Sequence, residues 1–331
     1  MDEITKPYVI GLDLGGTNSV FGIVDARGNI VATTAIKTQA YPDFDDYVKA
    51  SVDALMPIID TVGGIEKIKA LGIGAPNGNY YNGTIEYAAN LVWQGVVPIA
   101  KKFEEALGIP VIVTNDANAA AVGEFTYGVA RGMKNFIMIT LGTGVGSGIY
   151  INGQLVLGCD GLAGELGHLT VIPGGRTCGC GRKGCLETYS SAPGVTRTAR
   201  EYLEQRDTPS LLRDIKPEDI TSFEVYKAAV AGDELAKEIF EVTGSMLGEA
   251  CANFALFCSP EAFIFMGGLT KAGDLLMKPL QKAYDEHVLS VYKGKAKLML
   301  SGLKDSETAV LGASALGWDN PPQPVPFESE I

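Results

Sequence analysis

Apolar residues along the chain follow two periodicities, which predict alternating strands and helices. Residues 42–62 carry apolar side chains three or four positions apart, as an amphipathic helix does. Short, nearly continuous apolar runs at 68–76, 109–116 and 262–268 each end in a turn, which is typical of buried strands. Further helices are predicted at 117–128, near 224–257 and at 274–290. This alternation favours the α/β class.

Two stretches of the chain repeat one hairpin pattern. Residues 10–31 and 137–156 both run from an apolar strand through Leu-Gly, threonine and small residues into a second apolar strand. Each copy opens a run of strands and helices, which predicts two related α/β domains. We expect a small N-terminal domain of residues 1–117 with 306–331, and a large domain of residues 118–305. A C-terminal helix would pack back on the first domain, and the proline-rich tail would be loose.

Glycine and threonine form the turn of each hairpin. Such turns leave backbone N–H groups free to point at an anion, although a tight turn with glycine at positive φ would explain either copy alone. Two matched copies favour phosphate binding. On the plainer interpretation Asp13 is a turn residue; on the functional one its carboxylate binds Mg²⁺ through a water molecule. The candidate residues are Asp13, Gly15, Gly16, Thr17 and Asn18 in the first turn and Gly142, Thr143 and Gly144 in the second.

Composition narrows the classes of partner. The chain has 331 residues, of which 46% are hydrophobic and 20% charged, as in globular proteins. Its net charge of −12 argues against a nucleic-acid partner. Residues 135–159 lack charges but are interrupted by glycines, which favours strand, turn and strand over a membrane helix. No apolar leader precedes the first strand, and we expect a cytoplasmic protein without a membrane partner.

Four residues of one glycine-rich segment form a candidate metal site. His168, Cys178, Cys180 and Cys185 supply one imidazole and three thiolates, a full tetrahedral set for structural zinc. A disulfide is the alternative, but Cys178 and Cys180 are too close for an easy bridge, and three cysteines leave one unpaired. A metal would order a segment that has few apolar residues. Cys159, Cys251 and Cys258 are expected to be core residues in a reducing compartment.

Carboxylates near these features are the candidate catalytic and substrate-binding groups. Asp116 ends an apolar strand and begins a helix, where open α/β sheets place their chemistry. On the plainer interpretation, Asn115 or Asp116 is an N-cap; on the functional one, the Asp116 carboxylate accepts a proton in phosphoryl transfer. Glu165 and Glu187 flank the metal segment. Small and apolar neighbours disfavour a free surface position for Glu165, and clustered carboxylates and an imidazole suit sugar hydroxyls.

These motifs together resemble the ROK family of repressors and sugar kinases, within the superfamily of actin, hexokinase and the heat-shock ATPases. The resemblance covers about residues 8–317. The motifs that carry it are "DLGGTN" (13–18), "LGTGVGSG" (141–148), "ELGH" (165–168), "CGCGRKGCLE" (178–187), "NLVWQGVVPI" (90–99) and "TNDANAAA" (114–121). One departure is "GAPN" (74–77), where many relatives have glycine after the proline, and asparagine tolerates the same left-handed backbone.

The resemblance implies a fold and a set of roles. The fold would be the two-domain actin-like, ribonuclease H-like ATPase fold with the active site in the interdomain cleft. Asp116 would deprotonate the 6-hydroxyl of a hexose, and Gly267 and Gly268 would lie against the adenosine of ATP. His168 would place one ring nitrogen on zinc and the other on the sugar. The implied hexose ligands are Asn90, Asn115, Asp116, Glu165, His168 and Glu187.

The implied function is the phosphorylation of a hexose by ATP and Mg²⁺ in carbohydrate metabolism, with glucose as the favoured acceptor. N-acetylglucosamine, N-acetylmannosamine and fructose stay open as acceptors, and polyphosphate stays open as donor. A sugar-sensing protein without catalysis is the alternative from another class. The first motif begins at residue 13, so we expect no helix-turn-helix before it, which favours kinase over repressor. The family also suggests a homodimer or homotetramer.

Overall fold

The structure is a computed structural model that describes residues 6–318, and the proline-rich tail at 319–331 lies outside this range. Its strands are β1 (Tyr8–Leu14), β2 (Ser19–Asp25), β3 (Ile30–Ile36), β4 (Ile68–Gly74), β5 (Gly78–Asn79), β6 (Thr84–Glu86), β7 (Val96–Val97), β8 (Val111–Thr114), β9 (Phe136–Leu141), β10 (Val145–Ile151), β11 (Gln154–Leu155), β12 (Ala262–Met266) and β13 (Lys297–Leu300). Its α-helices are α1 (Phe44–Thr61), α2 (Ile99–Leu107), α3 (Asp116–Thr126), α4 (Glu187–Ser190), α5 (Ala192–Gln205), α6 (Ser222–Val230), α7 (Glu234–Cys258), α8 (Asp274–His287) and α9 (Asp305–Ala315). Within residues 6–318, no helix is long and apolar enough to cross a membrane.

The chain divides into two compact units. Over the described residues, the first unit comprises 6–132, 155–163 and 302–318, and the second comprises 133–154 and 164–301. The sequence-based boundaries, 1–117 with 306–331 and 118–305, differ from these chiefly by placing most of α3 and residues 155–163 in the other domain. For α3, the reason is that it packs along α9, where a Cβ added at Gly123 would lie only 2.8 Å from the Cα of Gly312.

The first unit contains a five-stranded sheet in the order β3-β2-β1-β4-β8. The first three strands form an antiparallel meander, and β4 and β8 continue it in parallel. Strand β4 is buried along almost its whole length, as its continuous apolar run predicts, whereas edge strand β3 alternates between half-buried and exposed residues. Helix α9 lies close to the sheet, because a Cβ at Gly72 would be 1.9 Å from the carbonyl oxygen of Ala313.

The second unit repeats this topology with the order β11-β10-β9-β12-β13. Strands β9 and β10 are antiparallel, and β12 pairs in parallel with both β9 and β13. Helices α7 and α8 cover a large apolar core and approach closely where α7 has Gly244 and Gly248. The two predicted hairpins are therefore present at the predicted positions in both units, and the α/β class is confirmed.

Helix α1 shows how local sequence sets the element ends. Its N-cap Asp43 accepts hydrogen bonds from the backbone N–H groups of Asp45 and Asp46, and these two acidic residues occupy the positive first turn. The apolar face predicted from spacing is the face that packs, with Leu55 and Ile59 fully buried.

Three further short strands, β5, β6 and β7, form a small antiparallel sheet in the same unit.

Candidate active site

In the first unit, two carboxylates lie at the carboxyl ends of two parallel strands, β1 and β8, which are separated by β4. Asp13 of β1 is in register with Gly74 of β4, which is in register with Thr114 of β8. Asp116 follows two residues after Thr114 and begins α3. Gly74 lets the start of α3 approach the sheet, because a Cβ there would lie 3.1 Å from that of Ala119. The topology thus brings Asp13 and Asp116 to one sheet edge.

Burial raises the pKa of both groups, and the charge of Asp116 raises that of Asp13 further. Desolvation, and then the charge of Asp116, raise the pKa of Asp13 to about 6. The Asp116 side chain is accessible to water, yet the protein around it removes enough hydration to raise its pKa as well. A hydrogen bond from the N–H of Ala117 to Oδ1 of Asp116, 2.8 Å long, opposes that shift. Both carboxyls are therefore stronger proton acceptors than ordinary aspartates.

Asn115 is the N-cap of α3, as the plainer interpretation of the sequence has it. Its Oδ1 accepts from the N–H of Asn118 over 2.7 Å, which leaves its Nδ2 free to donate elsewhere. The cap fixes the first turn of the helix and hence the direction of Asp116. Asn115 can therefore cap the helix and also bind a hexose, because the cap uses Oδ1 and leaves Nδ2 for the sugar.

The first glycine turn is closed and lies against the segment that carries Asn90. The N–H of Gly15 donates to the carbonyl of Asn18 over 3.0 Å, and both Thr17 and Asn18 are exposed. A Cβ at Gly16 would lie 2.4 Å from the carbonyl oxygen of Asn90, whose side chain is exposed. A residue predicted to contact phosphate and one predicted to contact hexose are thus direct neighbours.

The second glycine turn connects β9 to β10 in the other unit. The N–H of Gly142 donates to the carbonyl of Gly144 over 3.1 Å, and Thr143 is exposed at the tip. Gly267 lies beside the end of β9, where its Cβ would be 2.4 Å from the carbonyl oxygen of Leu141. A Cβ added at Gly268 would meet no atom of residues 6–318 within 4 Å, so the surface there is open. The five predicted nucleotide-side residues of this unit therefore lie at the same end of its sheet.

The four predicted metal ligands converge in the second unit. The ligand atoms of His168, Cys178, Cys180 and Cys185 all lie within 4.8 Å of one another. The sulfurs of Cys180 and Cys185 are 3.7 Å apart, as are the sulfur of Cys178 and Nδ1 of His168. Four ligands placed tetrahedrally around zinc at ~2.3 Å would be separated by about 3.8 Å. Donor identity, number and spacing all fit that ion.

Glu187 and Glu165 flank the two sides of the His168 ring. Oε1 of Glu187 lies 3.8 Å from Nδ1 and accepts a hydrogen bond from Cys178 over 2.9 Å. Oε2 of Glu165 lies 3.8 Å from Nε2, on the side away from the cysteines. The Glu165 side chain is 59% exposed, so the expectation that its apolar neighbours would keep it off the surface is wrong. Of those neighbours Gly167 packs closely against the backbone of Val145, whereas Leu162 is itself exposed.

Sequence reasoning missed Arg176, the buried arginine that anchors the metal segment. Its guanidinium donates to the carbonyl of Thr188 over 2.7 Å, pairs with Glu201 at 2.5 Å and lies 4.4 Å above the ring of Tyr189. Thr188 follows Glu187 directly, so Arg176 holds the backbone that carries this carboxylate. The signal that could have found it is an arginine next to a glycine pair, followed by an aromatic residue on α4 (Tyr189) and a glutamate on α5 (Glu201).

The other cysteines and the second histidine occupy ordinary positions. Cys251 is fully buried, as expected, but Cys258 is half-buried and Cys159 is exposed, so the expectation of a core position is wrong for Cys159. Cys159 lies in the loop after β11, whose length sequence periodicity does not fix. His287, to which the sequence assigned no role, places Nδ1 2.8 Å from the carbonyl of Ala283 and Nε2 3.7 Å from Glu249.

The raised pKa of Asp13 predicts that stability depends on pH. A native pKa of about 6, above the unfolded value, means that the native state binds the extra proton and loses stability as pH rises from about 4 to about 6. We expect Asp13→Asn to raise the melting temperature at pH 7 and to raise it much less at pH 4.5. Calorimetry of the protein without Mg²⁺ measures this, and an equal change at both pH values contradicts the electrostatic account.

Arg176 offers a second prediction, on stability. Arg176→Met should lower the free energy of unfolding by roughly 3 kcal/mol, because it leaves Glu201 and a buried carbonyl without their donor. The matched control is Arg197→Met, which removes a largely exposed partner of the same Glu201, 2.9 Å away, and should cost less than about 1 kcal/mol. Denaturant titration compares the two variants. Equal losses would show that burial does not strengthen the Arg176 pair.

Comparison with known proteins places the chain in a family. The profile described as "ROK family" matches residues 9–319. The glucokinase of Halalkalibacterium halodurans is 37% identical over 94% of this chain and 94% of its own length, and that of Streptomyces coelicolor is 38% identical over 83% and 86%. The crystal structure of a ROK family glucokinase from Streptomyces griseus with glucose and AMPPNP is 34% identical, with a TM-score of 0.75 over 93% of this chain and 98% of its own. The protein described here is a member of the ROK family and has the actin-like ATPase fold of that family's sugar kinases.

Proposed function

We propose that the protein transfers the γ-phosphoryl group of ATP to the 6-hydroxyl of glucose. The observation that carries the proposal is the pair Asp13 and Asp116 at one sheet edge, with the first glycine turn following Asp13 directly. The relatives named glucokinase, similar over most of the chain, support the same activity. The Streptomyces griseus structure, which holds glucose and AMPPNP, supports the substrate pair.

The nucleotide side uses backbone groups and one carboxylate. We assign the phosphates to the turns that contain Gly15, Gly16, Thr17 and Asn18 and Gly142, Thr143 and Gly144, because both present exposed tips at strand ends. Asp13 would hold Mg²⁺ through water, and a partly desolvated carboxylate with a raised pKa fits a neighbouring cation. Mg²⁺, when bound, neutralises charge on the β- and γ-phosphates. Gly267 and Gly268 would lie against the adenosine, for which the open space beside Gly268 leaves room.

Asp116 would act as the general base. The 6-hydroxyl oxygen attacks the γ-phosphorus, the bond from that phosphorus to the bridging oxygen of ADP breaks, and the hydroxyl proton passes to the Asp116 carboxylate. The hydrogen bond from Ala117 holds Oδ1 of Asp116 in place, and the cap by Asn115 holds the helix start. Positioning of this kind contributes most of the rate enhancement in phosphoryl transfer.

The hexose would be held by its hydroxyl groups. Besides Asp116, the proposed contacts are Asn90, Asn115, Glu165, His168 and Glu187. Glu165 and Glu187 flank the two nitrogens of His168 at 3.8 Å, an arrangement that offers acceptors and one donor at fixed spacing. Nδ1 of His168 faces the cysteines and Nε2 faces away from them, so one nitrogen is available for zinc and the other for the sugar.

Zinc would have a structural role. His168, Cys178, Cys180 and Cys185 would hold the ion, and it would supply cross-links to a segment whose backbone pairs through isolated β-bridges, such as Thr170 with Cys185. The donor set, one imidazole and three thiols whose ligand atoms lie within 4.8 Å of one another, is a combination that structural zinc prefers. This chemistry of the donor set supports zinc.

Other candidate acceptors are N-acetylglucosamine, N-acetylmannosamine and fructose. The proposed contacts do not distinguish these sugars from glucose. A coupled assay over these sugars, with ATP and with polyphosphate as donors, ranks them directly. A homodimer or homotetramer, a cytoplasmic location and the absence of a nucleic-acid partner are part of the same proposal. A sugar sensor without catalysis would bind glucose and release no ADP.

The base is tested by Asp116→Asn. We expect kcat to fall by at least about 100-fold, because the amide cannot accept the hydroxyl proton. The glucose Kd should change by less than about threefold, because the amide still hydrogen-bonds to the hydroxyl. Asp53→Asn, on an exposed position of α1, is the matched control and should leave both values unchanged. Turnover near the wild-type rate in Asp116→Asn would refute the role of this residue.

The metal is tested by Cys180→Ser. Elemental analysis should find about one zinc per chain in the purified protein. The substitution should reduce zinc content and weaken glucose binding together, because the metal orders the segment between His168 and Glu187. Cys159→Ser changes another exposed cysteine outside the cluster and should alter neither. Loss of zinc with unchanged glucose affinity would separate the metal from the sugar site.

A further inference from the structure

Glu187 reaches the second glycine turn as well as the metal segment. Its Oε2 accepts a hydrogen bond from the N–H of Val145 over 3.4 Å, and a Cβ on Gly144 would lie only 2.7 Å from that oxygen. Its Oε1 faces Cys178 at 2.9 Å and His168 at 3.8 Å. One carboxylate therefore touches, with its two oxygens, the proposed phosphate turn and the proposed hexose and zinc residues.

We propose that Gly144 is a positioning residue of the hexose site: the absence of a side chain at this position fixes where the Glu187 carboxylate lies and so determines hexose affinity. The inference rests on the proposed function, because it takes Glu187 as a hexose ligand. A residue of the proposed phosphate turn would thus also influence how tightly the sugar binds. Any methyl group at position 144 must displace Oε2, since 2.7 Å is too short for a carbon and an oxygen that are not bonded.

The displacement moves the carboxylate and leaves the fold in place. Neither Gly142 nor Gly144 adopts positive φ, so alanine fits the backbone at both positions. Among the described residues, the atoms that a Cβ at Gly144 would meet within 4 Å belong to the end of the Glu187 side chain, which can rotate away. Gly142, two residues earlier in the same turn, has nothing from that part of the chain within 4 Å of its Cβ position. The two glycines thus form a matched pair, in which one has the contact and the other lacks it.

The test is glucose binding to the zinc-loaded, full-length protein without nucleotide, by isothermal titration calorimetry. We expect Gly144→Ala to raise the glucose Kd about 10-fold or more, as expected when a charged hydrogen bond to the sugar is lost. Gly142→Ala should stay within about twofold of wild type, whatever it does to ATP. Equal glucose affinities in the two variants would overturn the proposal.

A double-mutant cycle identifies Glu187 as the affected group. Glu187→Asp shortens the side chain by one methylene and frees the space beside position 144. Adding Gly144→Ala to Glu187→Asp should therefore cost little further glucose affinity, whereas additive losses would show that the effect bypasses the carboxylate. If Gly144→Ala alone fails to fold, the same comparison between Glu187→Asp and the double variant decides the matter.

Failure of this inference and failure of the proposed function give different results. A wild-type protein that phosphorylates none of the sugars refutes the proposed function. A wild-type protein that phosphorylates glucose, together with a Gly144→Ala variant that binds glucose as Gly142→Ala does, refutes the positioning role alone.

Discussion

In both units, a glycine at a strand end leaves space that a functional group of another element fills. Gly74 admits the start of α3 to the sheet edge and so brings Asp116 towards Asp13. Gly144 admits the carboxylate of Glu187 to the second turn. Side chains at these positions would separate the groups whose proximity the chemistry needs. Close packing makes such contacts sensitive to a single methyl group.

Ionisable acidic groups placed close together lower the stability of the fold, and the two units accommodate them in different ways. In the first, Asp13 takes a pKa of about 6, which suits the proposed role of its carboxylate beside a cation and phosphates. In the second, Glu187 stands beside thiols and an imidazole, and the donor set fits zinc. Arg176, with a side chain only 8% exposed, anchors the backbone next to this cluster through Thr188 and Glu201.

The sequence sufficed for features that depend on local periodicity and on motifs. The paired hairpins and the strand before Asp116 lie where the pattern predicted them, and the four candidate metal ligands converge as their spacing suggested. It could not place contacts between segments distant in the chain, such as Arg176 with Glu201 or Gly144 with Glu187, because no local pattern encodes them. Glu165 shows the same limit: small neighbours suggested burial, but the turn directs its side chain outward.

The proposed function depends most on Asp116, which would receive the proton of the hexose 6-hydroxyl. A crystal structure of the protein with glucose and AMPPNP would show whether it can. We expect the 6-hydroxyl oxygen about 3 Å from a carboxylate oxygen of Asp116, on the side facing the γ-phosphate. A glucose molecule whose 6-hydroxyl lies out of hydrogen-bonding reach of Asp116 would contradict it.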